Sequence, residues 1–151
     1  MTFNLSPDRQ ADRDDAWTRA DEPGDGIART WLYIVGVALL AAGLVGFVDN
    51  PILSRRGDAL FQVDTLHSVV LLVTGLVALF IGASQHGRAL GEATIAFGGV
   101  YLVIFAATLV SPDLLGIFAT PVNTADHGLQ LVVAAGSVAA GLGSTWRRLA
   151  T

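Results

Sequence analysis

Charged residues vanish from this chain in four runs, approximately Thr30 to Val48, Leu66 to Ala83, Ala93 to Val110 and Gly128 to Gly143. Each is close to the ~20 apolar residues that a helix needs to cross a hydrocarbon core. The pattern predicts an all-α integral membrane four-helix bundle over residues 27–151, with helices at about 30–48, 66–83, 93–110 and 128–143. Two short connections, one containing Pro51 and the other Pro112, would lie on one side of the bilayer, and the loop around His86 on the other.

Comparing the halves suggests a duplication. Gly57, Val63, Asp64 and Thr65 align with Gly116, Val122, Asn123 and Thr124 at one constant offset, and Gly36-Val37 pairs with Gly99-Val100 at a slightly different one. The bundle would then be a helical hairpin used twice, related by a pseudo-twofold axis along the membrane normal. In an up-down bundle the second and fourth helices fall diagonally across the core. Small residues recur at four-residue steps, as Ala42 and Gly46, Ala78 and Gly82, and Ala135, Ala139 and Gly143. Such steps place them on one helix face, where they let a neighbouring backbone approach. Packing inside the bundle is the expected use, with a dimer face as the alternative.

Composition agrees with the membrane reading: 52% of residues are hydrophobic and 15% charged, against about 25% charged in ordinary soluble domains. Cysteine is absent, which removes disulfides, thiolate metal sites and cysteine nucleophiles. All nine basic residues are arginine, and aspartate outnumbers glutamate eleven to two. That bias fits a GC-rich prokaryotic genome, a halophilic archaeon among the sources it suits.

Residues 1–26 carry seven acids (Asp8, Asp12, Asp14, Asp15, Asp21, Glu22, Asp25) and little apolar periodicity. Such a stretch cannot bury enough surface to offset its ordering entropy, so a disordered acidic tail is expected. No basic region followed at once by an apolar core opens the chain, so the first membrane helix would serve as an uncleaved anchor. Basic residues near helix ends stay on the cytoplasmic side. With the tail inside, seven arginines (Arg9, Arg13, Arg19, Arg29, Arg88, Arg147, Arg148) face the cytoplasm against Arg55 and Arg56 outside. Both termini are therefore expected in the cytoplasm of a multi-pass cell-membrane protein, with Trp31 and Trp146 at the inner interface.

Polar chemistry in the membrane region concentrates at the outer starts of the second and fourth helices. Asp64 and His67 are three residues apart and share a helix face, and Asp126, His127 and Gln130 form a similar cluster one repeat later. Histidine and carboxylate could bind a divalent metal or relay protons, and histidines on diagonal helices could ligate a haem. The plainer reading is capping: Asp64 stands at an N-cap position, and Asn123-Thr124-Ala125-Asp126 has the form of a capping box, putting Asp64, Asn123 and Thr124 at helix starts. The metal, if any, is unspecified, and no resident cofactor is expected. His86 reads as a solvated loop residue.

Three strings, Leu60-Phe61-Gln62-Val63-Asp64-Thr65-Leu66-His67, Gly98-Gly99-Val100-Tyr101-Leu102-Val103 and Pro121-Val122-Asn123-Thr124-Ala125-Asp126, resemble a bacterial and archaeal four-pass membrane family catalogued as domain of unknown function 4383. The resemblance covers about residues 30 to 143 and implies a four-helix membrane bundle without an established activity. It also implies histidines at the positions held here by Leu71 and Gln130, and an asparagine where His127 stands. Of that family histidine set only His67 is present, with His127 displaced by three residues; since His127 and Gln130 share a face, a rearranged site stays open.

Enzyme readings find little support. No serine lies in a nucleophile elbow, no glycine cluster leads into a phosphate-binding lysine, and a net charge of −4 disfavours nucleic acid. The middle of the helices offers little polarity beyond Thr74, Thr108 and Ser137, a poor lining for a conduit. The expectation is a non-enzymatic accessory or scaffold protein in the lipid bilayer, associating with its own copies or other membrane proteins. The alternative is a metal-ion or proton-binding transporter using Asp64, His67, Asp126, His127 and Gln130.

Overall fold

The computed structural model describes residues 25–48, 52–54, 61–62, 64–113, 115–117 and 122–149. The acidic segment through residue 24 and the loop arginines Arg55 and Arg56 lie outside these described residues. Among the described residues four helices carry the fold: α1 (Asp25–Val45), α2 (Thr65–Ser84), α3 (Gly87–Val110) and α4 (Thr124–Leu149). All four are long and apolar enough to cross a membrane. A two-residue parallel pair, β1 (Leu53–Ser54) with β2 (Phe61–Gln62), sits between α1 and α2 and does not change the all-α character.

The helices outrun the apolar runs where polar residues can finish a turn. α1 begins at Asp25, five residues before Thr30, so the last acid of the expected tail is a helical residue. α3 begins at Gly87, where φ is +60°, a left-handed conformation that carries no steric cost for glycine. It ends at Val110, two residues before Pro112, as expected when proline cannot continue a helix.

α1 packs closely on α2, and α3 on α4; the hairpins meet mainly through α1 and α4, while α2 and α4 stand diagonally opposite. Glycine sets both close approaches. A Cβ added at Gly75 would lie 2.9 Å from the Gly36 carbonyl oxygen, and one at Gly141 would lie 2.7 Å from that of Gly91. With lipid as apolar as leucine, such backbone proximity and its dispersion gain hold helices together in place of hydrophobic burial.

The inside-out distribution of side chains follows from the same physics. Ser68, Thr94, Thr108, Ser137 and Ser144 are fully buried, whereas Phe80, Val100, Val103 and Val110 face outward. A soluble monomer does not expose contiguous apolar surface on this scale. The apolar core that remains runs along α1 as Ala28, Leu32, Val35 and Leu39, and meets Leu71, Leu90, Phe97 and Tyr101.

The three mid-membrane hydroxyls foreseen from sequence each join two helices. Tyr101 OH donates to Thr74 Oγ1 (2.9 Å) between α3 and α2, Thr108 Oγ1 donates to Gln130 Oε1 (3.0 Å) between α3 and α4, and Trp31 Nε1 donates to Ser137 Oγ (2.9 Å) between α1 and α4. Trp31 therefore also packs between helices, its indole seated against Gly136. Trp146, by contrast, is exposed.

The small-residue steps divide. Ala78 and Gly82 are buried and Ala42 and Gly46 partly so, as expected for packing inside the bundle. Ala135 and Ala139 are exposed, and a Cβ at Gly143 would meet nothing within 4 Å, so that step of α4 faces outward. One residue turns a helix by about 100°, and Val133, Ala134, Ser137 and Gly141 take the inward positions instead.

Candidate functional site at the start of α2 and α4

Both helices open with side-chain caps on otherwise orphaned amides. Asp64, with extended backbone, accepts a hydrogen bond from His67 N (2.8 Å), and its carbonyl accepts from Ser68 Oγ (2.9 Å). At α4 the bonding is reciprocal: Asp126 N donates to Asn123 Oδ1 (3.0 Å) and Asn123 N donates to Asp126 Oδ2 (3.0 Å). This is a capping box in which aspartate replaces the usual glutamate. Thr124 is the first residue of α4 and is exposed, so the cap itself is Asn123.

Capping places His67 and Asp126 at the same third position of their helices, and both are buried. The two side chains line the same pair of cavities between the hairpins, one of about 170 Å³ and one of about 30 Å³. Gln130 lines only the smaller, beside Tyr101. The larger is lined mainly by apolar groups, among them Leu39 and Ala42 of α1, Phe61 of β2, Leu71 and Leu129.

The remaining candidates point elsewhere. Asp64 lines neither cavity and is turned to its own helix start. His127 stacks edge-on against Phe105 of α3, ring centroids 5.9 Å apart, and its Nε2 is buried with no hydrogen-bond partner among the described residues. The five sequence candidates therefore divide: His67 and Asp126 line both cavities, Gln130 joins them at the smaller one and bonds Thr108 of α3, and Asp64 and His127 make their contacts elsewhere. Among the described residues no three His, Asp, Glu or Cys side chains converge as metal ligands would.

Sequence reasoning missed a second polar cluster, at the opposite end of the bundle. Asp25 Oδ2 accepts from Gly87 N (3.0 Å) and from Arg29 Nη2 (3.3 Å), while Arg29 Nη2 also donates to the Gln85 carbonyl (3.3 Å). His86 holds the N-cap position of α3 without a side-chain cap bond, so Asp25 supplies the acceptor from another helix. The signal was the four-residue spacing of Asp25 and Arg29 at the edge of the first apolar run.

If Asp64 acts as a cap, Asp64→Ala should lower stability by about 1–2 kcal/mol, and Asp64→Asn, which keeps an acceptor, by a few tenths. Reversible unfolding of the bilayer-reconstituted protein measures both; an asparagine variant as unstable as the alanine one would refute the assignment.

No curated protein and no solved structure matches the chain. The family model described as Domain of unknown function (DUF4383) matches residues 29–143, from α1 into α4 and across both capped helix starts, and the chain belongs to that family.

Proposed function

We propose that the protein is a non-enzymatic accessory or scaffold component of the cell membrane, a bundle that meets other membrane proteins or further copies of itself. The observation that carries this reading is the use of polar groups: Thr74, Thr108 and Ser137 each join two helices, and Asp64 and Asn123 cap. Polar groups held in static interhelix bonds fix a bundle and do not line a path. The outward step of Ala135, Ala139 and Gly143 on α4 suits close approach by another helix. Both termini lie in the cytoplasm in this reading, and the two hairpins descend from one duplicated unit in a prokaryotic ancestor.

One observation favours the second reading, a metal-ion or proton-binding transporter: His67 and Asp126 reach the same cavity from different helices. Native mass spectrometry of the protein gently extracted from its host membrane separates the two. The scaffold reading expects complexes with membrane proteins or defined oligomers, with no bound metal. A monomer carrying a metal ion that is lost in His67→Ala would overturn it in favour of transport.

A further inference from the structure

The turn that follows α3 turns apolar side chains outward. Val110, the last residue of α3, is 88% exposed, Leu115 is 89% exposed and Ile117 56%. Leu115 also holds a φ of +61°, a left-handed conformation that carries a steric cost for any residue with a Cβ. Turns ordinarily give such positions to Gly, Asn or Asp. Here a large apolar side chain is held there, in a strained conformation, and pointed away from the bundle.

The polar groups of the same turn bond to one another. Ser111 Oγ donates to Asp113 Oδ1 (2.6 Å) and accepts from Leu115 N (2.9 Å). Ser111 N donates to the Ala107 carbonyl (2.9 Å), and Val122 N donates across the turn to the Pro112 carbonyl (2.9 Å). Water would satisfy such groups unaided, whereas internal bonds become obligatory where water is scarce.

The length of α3 shows which solvent the turn meets. Its charge-free part, Ala93 to Val110, is about 27 Å long at ~1.5 Å per residue, slightly short of the ~30 Å of a hydrocarbon core. Arg88 and Glu92, exposed at the other end of the helix, mark one boundary of that core, so Val110 ends at or inside the opposite one. Val103 and Val110 are seven residues apart and share the outward face of α3. Leu115 and Ile117 extend that apolar surface past the end of the helix, where a span slightly too short leaves hydrocarbon to be covered.

We propose that this turn is a membrane-inserted anchor: Leu115 and Ile117 enter the acyl region of the leaflet at the end of α3, while Ser111 and Asp113 gather the turn's polar groups at headgroup level. The partner is lipid and not a second protein, because the patch continues the bilayer-facing side of α3. Transfer of the two side chains into acyl chains offsets the strain at Leu115. The anchor does not rest on the scaffold reading, since a turn set in the leaflet fixes the height of the α3–α4 hairpin whatever the bundle does.

The chain has no cysteine, so Leu115→Cys carries a single nitroxide label. Power-saturation EPR of the full chain in phosphatidylcholine liposomes compares collisions of the label with oxygen, which concentrates among acyl chains, and with a water-soluble nickel chelate. Val103→Cys, outward at mid-helix, and Arg88→Cys, at the polar end of α3, supply the lipid and water references. The label at 115 should collide more with oxygen than with nickel, as at Val103 and the reverse of Arg88. Dominant nickel collisions would place the turn in water and overturn the proposal. Shielding from both reagents would mean that a protein surface covers the turn, and would overturn it as well. Ile117→Cys, labelled in the same way, gives the reading if Leu115→Cys does not fold. Adding Ser111→Ala to the labelled chain should shift the label toward nickel, and an unchanged ratio would overturn the part assigned to Ser111 and Asp113.

Discussion

Gly98→Val should destabilise the bundle by on the order of 3 kcal/mol, while Gly99→Val, one residue away, should change stability by no more than about 0.5 kcal/mol. A Cβ at Gly98 would lie 2.8 Å from the Ala134 carbonyl oxygen and 2.9 Å from the Ser137 Cβ, both on α4. Backbone cannot rotate away as a flexible side chain does, so α3 and α4 must separate. Their separation would also disturb the Thr108–Gln130 bond. At Gly99 an added Cβ would meet nothing within 4 Å. Unfolding of the two variants by steric trapping in bicelles provides the comparison; equal losses at both positions would show that helix propensity, and not close approach, sets the effect.

Asp25→Ala should cost about 2–3 kcal/mol, because a partly buried amide and a partly buried guanidinium lose a charged acceptor together. Asp25 ties the start of α1 to the first amide of α3, and Arg29 ties it to the last carbonyl region of α2. The turn Gln85-His86-Gly87 is held by these two bonds from outside itself, since His86 supplies no side-chain cap. Asp25→Asn keeps an oxygen for Gly87 N but loses the charge facing Arg29, so it should recover roughly half of the loss. The same unfolding assay reads both, and hydrogen exchange at Gly87 localises the effect. An Asp25→Ala protein with unchanged stability and unchanged exchange at Gly87 would show that the clasp contributes nothing.

How much of this was legible beforehand depends on the range of the interaction. Asp64 and Asn123 were readable as caps because a cap acts over three residues, and sequence spacing carries that information directly. His67 and Asp126 were readable as candidates by type and depth, but their meeting at one cavity depends on which way each helix is rotated. The orientations of Asp64, toward its own helix start, and of His127, toward Phe105, were unreadable for the same reason. Phe61 as a wall of the cavity was unreadable, since it arrives from a short extended segment whose pairing with Leu53 no periodicity announces.

The glycines make the same distinction in sharper form. A four-residue step shows that two small residues share a face and is silent on what that face meets, so Ala78 and Gly82 turned inward while Ala135 and Ala139 turned outward.

By itself the sequence determined the number of helices, their approximate spans, the membrane as their solvent and the caps that begin α2 and α4, because each follows from local hydropathy or from bonds a few residues long. Only the tertiary structure decided which hydroxyls pair, which glycines lie under a neighbouring backbone, that Asp25 caps a helix more than sixty residues away, and that His67 and Asp126 face one cavity. Those outcomes depend on helix rotation and on which hairpin faces which, quantities fixed by packing summed over the whole bundle and encoded at no single stretch of chain.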